Sequence, residues 1–367
     1  MDSVKLVDIC SIEKGQQIDT SRLNDAHRYR YINGGVKESG FYDSFNSNEE
    51  CVLVSEGGSC GFVNYINEPF WCGCHCYRLH DSKVILKYLY YALKANQERI
   101  MDLKTGVCLP NIKKKDFQNF VISIDKDTKR QNAIVKVLDT IQKAIDIKNN
   151  QLDRLNEMIE SKFQKQFGDP IENEKGWEMR EWKDLFDTIL GKMLDIKKQN
   201  IDDETRCYLG NTNVRWFSFD LNNLKTMTFS NKEIEKLSLK KGDIMVCEGG
   251  ESGRCAVWEK EGSDILFQKA IHRARLKDPT VIEPHFIPFL MKYLRDNEGL
   301  KKHVSQSTIE HLTGEKLDKL SIIVPPFDQQ KCFAEFVRKV DTGSSIIKQE
   351  ISDLEELMDS KMDEYFG

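Results

Sequence analysis

Three stretches of the chain hold side chains of the kinds that do chemistry. In Cys72-Gly-Cys74-His75-Cys76, with Cys60 and His80 close in sequence, thiols and imidazoles are dense enough to raise a zinc site. Zinc clusters separate paired cysteines by two or more residues so that both reach one ion. Here a single residue intervenes. On a strand Cys72, Cys74 and Cys76 share a face, where free cysteine behaves as a small hydrophobe. The comparable place later in the chain, Phe267-Gln-Lys-Ala-Ile-His272, has no cysteine. The expectation is therefore a buried strand and no metal. Glu248-Gly-Gly-Glu-Ser-Gly253 is glycine-rich but lacks the Lys-Ser/Thr of a phosphate loop, and reads as a turn between strands. Asp243 and Glu248 would make a nuclease pair only with a lysine two residues after Glu248, where Gly250 stands. No HExxH occurs, and no GxGxxG opens a helix after a strand. The chain carries no catalytic constellation, which points away from an enzyme and towards recognition.

Recognition of nucleic acid needs cations for phosphates and forked or polar donors for base edges. Arg28 and Arg30 flank an aromatic-rich patch, and Lys113-Lys114-Lys115 forms a basic run. Arg254, Lys269, His272, Arg273 and Arg275 crowd the middle of the second half. Lys301 and Lys302, followed by Gln306 and Thr308, mark a polar loop. Alternation in Gln268–Arg275 would put Lys269, Ile271 and Arg273 on one face and His272 on the other. The net charge of −5 argues against nonspecific coating of DNA but not against a local basic face.

These residues must be held by a scaffold, and the chain contains its scaffold twice. Seam positions at 134, 138, 141, 145, 148, 152, 155, 159 and 162 recur 199 residues later, from 333 to 361, in the four–three spacing of a heptad. Identities accumulate at the same offset: Gln131/Gln330, Leu155/Leu354, Glu157/Glu356, Ser161/Ser360, Lys162/Lys361, Phe167/Phe366 and Gly168/Gly367. A fixed period means one module in two copies. Apolar seam residues are Ile134, Leu138, Ile141, Ile145, Leu152, Leu155 and Ile159 in the first helix. In the second they are Phe333, Val337, Val340, Ile347, Ile351, Leu354 and Met358. Lys148, Lys162 and Ser344 are polar interruptions that would set register. Val135, Val137, Ile147, Phe163, Phe336, Ile346 and Leu357 fall off the seam and offer further partner surface. Each helix would span roughly 60 Å.

The repeat divides the chain into a globular segment at 1–126, a long helix at 127–168, a second globular segment at 169–326 and a second long helix at 327–367. Gly168-Asp-Pro170 stops the first helix and Asp127 or Thr128 caps it. Asp328 is the matching cap of the second, after the strand Leu320–Val324 and Pro325-Pro326. The globular segments echo each other with a drifting offset. Glu56-Gly57-Gly58 matches Glu248-Gly249-Gly250, and the short helix at 88–93 matches that at 289–294. Each reads as mixed α/β, in the α+β sense, with short β-branched runs and helices late in the segment. With 40% hydrophobic residues, no 18-residue apolar run, no signal-peptide pattern and eleven cysteines read as reduced thiols, a cytoplasmic protein is expected.

The order module–helix–module–helix resembles the DNA-specificity (S) subunit of type I restriction–modification systems. The resemblance is carried by the two helices, Lys162–Pro170, Gly57–Val63, Gly242–Gly250 and Leu266–Arg273. It implies two target-recognition domains, each reading one half of a split double-stranded DNA target. It also implies an antiparallel coiled coil that sets their spacing. Two methyltransferase (M) subunits would dock on the helices and hold S-adenosylmethionine, and restriction (R) subunits would add ATP- and Mg-dependent cleavage. This chain would hold no cofactor. The residues alone leave a coiled-coil scaffold with two ligand-binding modules and no DNA role as the alternative. A self-contained restriction enzyme lacks the motifs it would need.

Overall fold

The computed structural model describes residues 1–47, 50–106, 108–193, 203–301 and 311–367. They form two compact units, Met1–Gln151 with Ile347–Gly367, and Leu152–Ile346.

In the first unit a four-stranded antiparallel sheet runs in the order Ser11–Lys14, Cys76–His80, Cys51–Ser55, Val63–Ile66. Cys51–Ser55 is buried along its whole length, as a strand covered on both faces must be. Val52 and Val54 enter a core with Tyr77, Leu79, the helix Leu86–Ala95, and Ile134, Leu138, Met362 and Phe366 of the long helices. Cys51 and Leu53 point the other way, into a core with Ile32, Phe70, Cys72 and Cys76. That second core lies beneath a three-stranded sheet, Gly40–Tyr42, Tyr29–Ile32, Trp71–Cys72, with one antiparallel and one parallel pairing. A separate two-stranded pair joins Asp2–Lys5 to Val121–Ile124.

The second unit repeats these three sheets, and each unit adds one short pair of its own: Lys104–Thr105 with Asn111–Ile112 in the first, Val214–Arg215 with Ser218–Phe219 in the second. Its four-stranded sheet runs Phe186–Leu190, Ile271–Leu276, Ile244–Cys247, Cys255–Val257. Its three-stranded sheet runs Lys225–Phe229, Glu204–Leu209, Leu266–Phe267, again antiparallel then parallel. Glu178–Glu181 pairs with Ser321–Val324. Ile244, Val246 and Ala274 face the helix Phe286–Asp296 and the long-helix residues Ile159, Phe163, Phe167, Phe333, Val337 and Val340. Met245, Cys247 and Ile271 face the smaller sheet.

The long helices are Thr128–Phe167 and Phe327–Phe366. In the first unit Ile134 and Leu138 share a core with Met362 and Phe366, and Lys148 Nζ lies 2.8 Å from Glu350. In the second, Phe163 and Phe167 pack on Phe333, and Gln166 Nε2 donates to Gln329 O at 2.6 Å. The start of one helix therefore meets the end of the other within each unit, which is antiparallel pairing. Ile134, Leu138, Ile141, Ile145, Ile159, Phe333, Val337 and Val340 are buried, while Leu152, Leu155, Ile347, Ile351, Leu354 and Met358 are half-buried. Phe163, expected on an outer face, is instead an anchor, in ring contact with Phe167, Phe286, Tyr293 and Phe333. Val137, Ile147, Ile346 and Leu357 are exposed.

The identity Gln131/Gln330 acquires a physical meaning. Gln131 is buried; its Oε1 accepts the Ile85 N–H at 2.9 Å and its Nε2 donates to Asp125 O at 2.7 Å. Fully buried Gln330 accepts the Glu283 N–H at 3.0 Å and donates to Val281 O at 3.0 Å and Pro325 O at 2.6 Å. Each amide satisfies backbone groups at the approach to a short helix and at the exit of a strand, groups that burial would otherwise orphan. The first long helix ends as expected, with Gly168 at φ +73 and Asp127 Oδ1 accepting the Lys129 N–H at 2.9 Å. The second begins at Phe327, within its expected range, so Asp328 sits inside the first turn rather than at the cap.

Cys72, Cys74 and Cys76 do not lie on one strand. The strand Trp71–Cys72 ends, a turn follows in which the Cys76 N–H bonds Gly73 O, and Cys76–His80 begins. Asn33 Oδ1 accepts the His75 N–H and fills the space a Cβ on Gly73 would need. Among the described residues no group of three or more His, Cys, Asp or Glu side chains is placed to hold a metal.

Candidate nucleic-acid interface

Ile271–Leu276 is central in its sheet, between Phe186–Leu190 and Ile244–Cys247, and cores cover both of its faces. Strand alternation puts Ile271, Arg273 and Arg275 on one side and His272 and Ala274 on the other. His272 and Arg273 consequently lie inside, 2% and 4% exposed. Neither is offered to a base edge, contrary to the expectation from charge density. Burial pushes the His272 imidazole down to about 4, against a hydrogen bond to Leu312 that works the other way, so the ring is neutral near pH 7. Arg273 donates to Lys236 O at 3.0 Å. Arg275 forks onto buried Asp243, 2.7 Å to each carboxylate oxygen, and that bond raises its pKa further. These two arginines brace the strand from within.

Two other expected cations of the second half, Arg254 and Lys269, lie near the glycine turn at Glu248–Gly250. Arg254 bridges Glu251 Oε2 at 3.0 Å and Asn211 O at 2.8 Å, and Asn211 Nδ2 donates to Gly249 O at 2.9 Å. The Glu248 N–H bonds Ala270 O, and exposed Lys269 bonds Lys192 through the backbone. Lys192 and Asn211 join this cluster without a sequence signal of their own; the bridge of Lys192 to Gln268 brings them in. Gly249 is also bridged to His311, and exposed Lys301 pairs with Glu298. Lys302, Gln306 and Thr308 lie outside the described residues.

The first unit has a corresponding turn. Gly57 is bridged to Asn111 as Gly249 is to His311, and the Ile112 and Leu312 N–H groups bond Glu56 O and Glu248 O. Exposed Lys113, Lys114 and Lys115 follow directly, opening the helix Lys114–Gln118. Tyr77 stands where His272 stands, donating to Glu56 Oε1 at 3.3 Å and Ile112 O at 2.7 Å. Lys14, 2.7 Å from Glu56, holds the register position of Leu190. Gly57-Gly-Ser59-Cys-Gly61 spells G-x-S-x-G, yet it joins two antiparallel strands and no helix follows Ser59, so it is not a nucleophile elbow.

Arg30 lies in the three-stranded sheet of the first unit and Arg28 directly precedes its strand. Arg30 pairs with Glu68 at 2.6 Å, and exposed Arg28 lies over the Tyr29 ring at 5.5 Å. Charge is unevenly distributed. The helix Phe327–Phe366 carries five basic residues against ten acidic ones, so the rest of the chain is neutral overall. Residues 1–126 are neutral overall and residues 169–326 carry a net −2, so most of the net −5 lies outside the globular segments.

Comparison with known proteins follows the duplication. A family model described as the type I restriction modification DNA specificity domain matches residues 1–157 and again 174–356. A Mycoplasma genitalium protein named as a type I specificity subunit is 34% identical over 138 residues, 37% of this chain and 36% of that protein. The aligned stretch thus covers little more than a third of that relative. The MjaVIII specificity subunit of Methanocaldococcus jannaschii is 23% identical over 84% of this chain and 76% of its own length. The crystal structure of a type I S subunit from M. genitalium shares the fold, with a TM-score of 0.61 at 21% identity, covering 100% of this chain and 96% of that one. A chain from a structural study of assembly and conformational transition of the type I system gives 0.59 at 11% identity, covering 99% and 97%. With both of its repeats matched, this chain belongs to the type I restriction–modification DNA specificity family.

Proposed function

We propose that this chain is the non-catalytic reader of a type I restriction–modification assembly. Residues 1–126 and 169–326 are two target-recognition domains, each contacting one half of a split duplex target. Helices 127–168 and 327–367 form an antiparallel coiled coil that fixes the spacing of the halves. Two methyltransferase subunits dock on it and hold S-adenosylmethionine; restriction subunits bring ATP and Mg. The carrying observation is the duplication of the four-, three- and two-stranded sheets, each copy followed by a 40-residue helix. Two like modules in one chain suit two separate half-sites.

Base and phosphate contacts are assigned to half-buried Arg254 and exposed Lys269 and Lys301 in the second module, and to exposed Lys113, Lys114, Lys115 and Arg28 and half-buried Arg30 in the first. The test is to co-express the chain with its methyltransferase subunits and sequence the methylated genome. A split motif with a fixed unread spacer is expected. A contiguous motif from an active assembly overturns the reading.

A further inference from the structure

The outer face of the three-stranded sheet in the first unit carries a row of rings. Tyr29 and Tyr42 are cross-strand partners, as are Tyr31 and Trp71. Tyr31 and Tyr42 are covered by Ile18 and Leu23, which leaves one end of the row open. At that end Phe45, 41% exposed, stands edge-on to Tyr29 with ring centroids 4.9 Å apart, while Tyr42 meets Trp71 at 4.9 Å. Guanidinium groups flank the row: Arg22 lies 4.8 Å over Tyr42 and Arg28 lies 5.5 Å over Tyr29. Arg22 and Arg30 are tied to Asp43 and Glu68. Among the described residues Arg28 has no carboxylate partner.

Phe217, the other phenylalanine exposed to this degree, is stacked on Phe289 at 4.3 Å and has no arginine beside its ring. Phe45 differs in its cations: the Tyr29 ring that supports it and the neighbouring Tyr42 ring each lie under an arginine. Exposed apolar side chains flanked by arginine are the groups that enter between base pairs and unstack a step of duplex DNA, and cations beside them neutralise the flanking phosphates.

We propose that Phe45, braced by Tyr29, is a wedge that unstacks one base step within or beside the half-site read by the first module, with Arg28 on an adjacent phosphate. This deepens the DNA-reading assignment and rests on it. The occupant is duplex DNA rather than a protein, because a ring with arginines on its flanks suits a stacked, anionic ligand better than an apolar one.

The experiment uses the full chain assembled with its methyltransferase subunits. The probe is a duplex bearing the motif found by methylome sequencing, with 2-aminopurine placed in turn at each step of the first module's half-site. Wild type should raise fluorescence several-fold at one step. Phe45→Ala should abolish that rise and weaken specific binding about ten- to a hundredfold, the range expected for one lost stacking contact. Phe45→Leu should keep most of both, being still apolar. Arg28→Ala should keep the fluorescence of the saturated complex while lowering the salt slope by about one. An unchanged signal and affinity in Phe45→Ala overturns the wedge, as does wild-type binding without any rise. Failure of wild type to bind the motif duplex defeats the DNA reading itself, a separate result. Phe45 is exposed, so its variants should melt with the wild type.

Discussion

Replacing Gln330 by methionine keeps the length and packing of the side chain and removes its amide. Three backbone groups then lose partners: the Glu283 N–H, Val281 O and Pro325 O. Gln330 is completely shielded from solvent, so water does not substitute. Leaving a buried polar group unpaired costs about 1–3 kcal/mol. With each of the three groups costing towards the low end of that range, about 3–5 kcal/mol is expected in total. For a unit of this size 1 kcal/mol moves the midpoint by about 2–4 °C, so the melting temperature should fall by roughly 6–20 °C. Gln131→Met removes two bonds and should cost about 2–3 kcal/mol. Differential scanning calorimetry on both variants is the assay, and because each glutamine serves a different unit, each should move a different transition if two are resolved. A fall below about 1 kcal/mol in Gln330→Met would show that the amide only fills space.

Asp243→Asn leaves Arg275, beside buried Arg273, with only the exposed carboxylate of Asp187 as counter-charge. It should destabilise the second unit by roughly 3–5 kcal/mol in urea unfolding, with partial recovery when Arg275 is also changed to Met. His272, held near 4, binds a proton less readily folded than unfolded. Stability therefore drops as pH falls from about 6.5 towards 4, by up to roughly 3 kcal/mol. His272→Phe should lose that portion of the pH dependence, and parallel wild-type and variant profiles across pH 4–7 would contradict it. Inserting four helical residues after Asn149 and four more after Lys348 lengthens both helices by about 6 Å. The unread spacer in the methylome motif should grow by about two base pairs at roughly 3.4 Å each, and altered half-site bases would refute the ruler.

Much of the scaffold was legible because helical periodicity survives duplication. The four–three seam and the shared Gln, Phe and Gly positions located both long helices, and the proline and glycine signals located their ends. The site was less legible. Charge density drew attention to Gln268–Arg275, but density does not reveal that a strand is central and covered on both faces. Arg273 and Arg275 serve Lys236, Ser238 and Asp243 instead. The turn at Gly73 was hidden because alternating cysteines mimic a strand, while the side chain of distant Asn33 fixes the bend. Lys192 and Asn211 reach the cluster only through pairings across tens of residues, which no local pattern encodes. Gln131 and Gln330 stood out as identities, but only burial and partners explain them.

The first unit draws its final piece from far along the chain. Met362 and Phe366 close a core otherwise made of residues before Gln151, with Phe366 against Tyr88 at 5.2 Å between ring centroids. The ribosome makes all of Leu152–Ile346 before it makes that piece. At about 5–20 residues per second the delay is roughly 10–40 s. Throughout it Ile134, Leu138 and Tyr88 lack the cover of Met362 and Phe366, apolar surface of the kind that chaperones bind. A message cut short before residue 347 would yield a product whose first module never completes its core, and proteolysis would clear it. Completion of the first module thus reports that the second has already been translated.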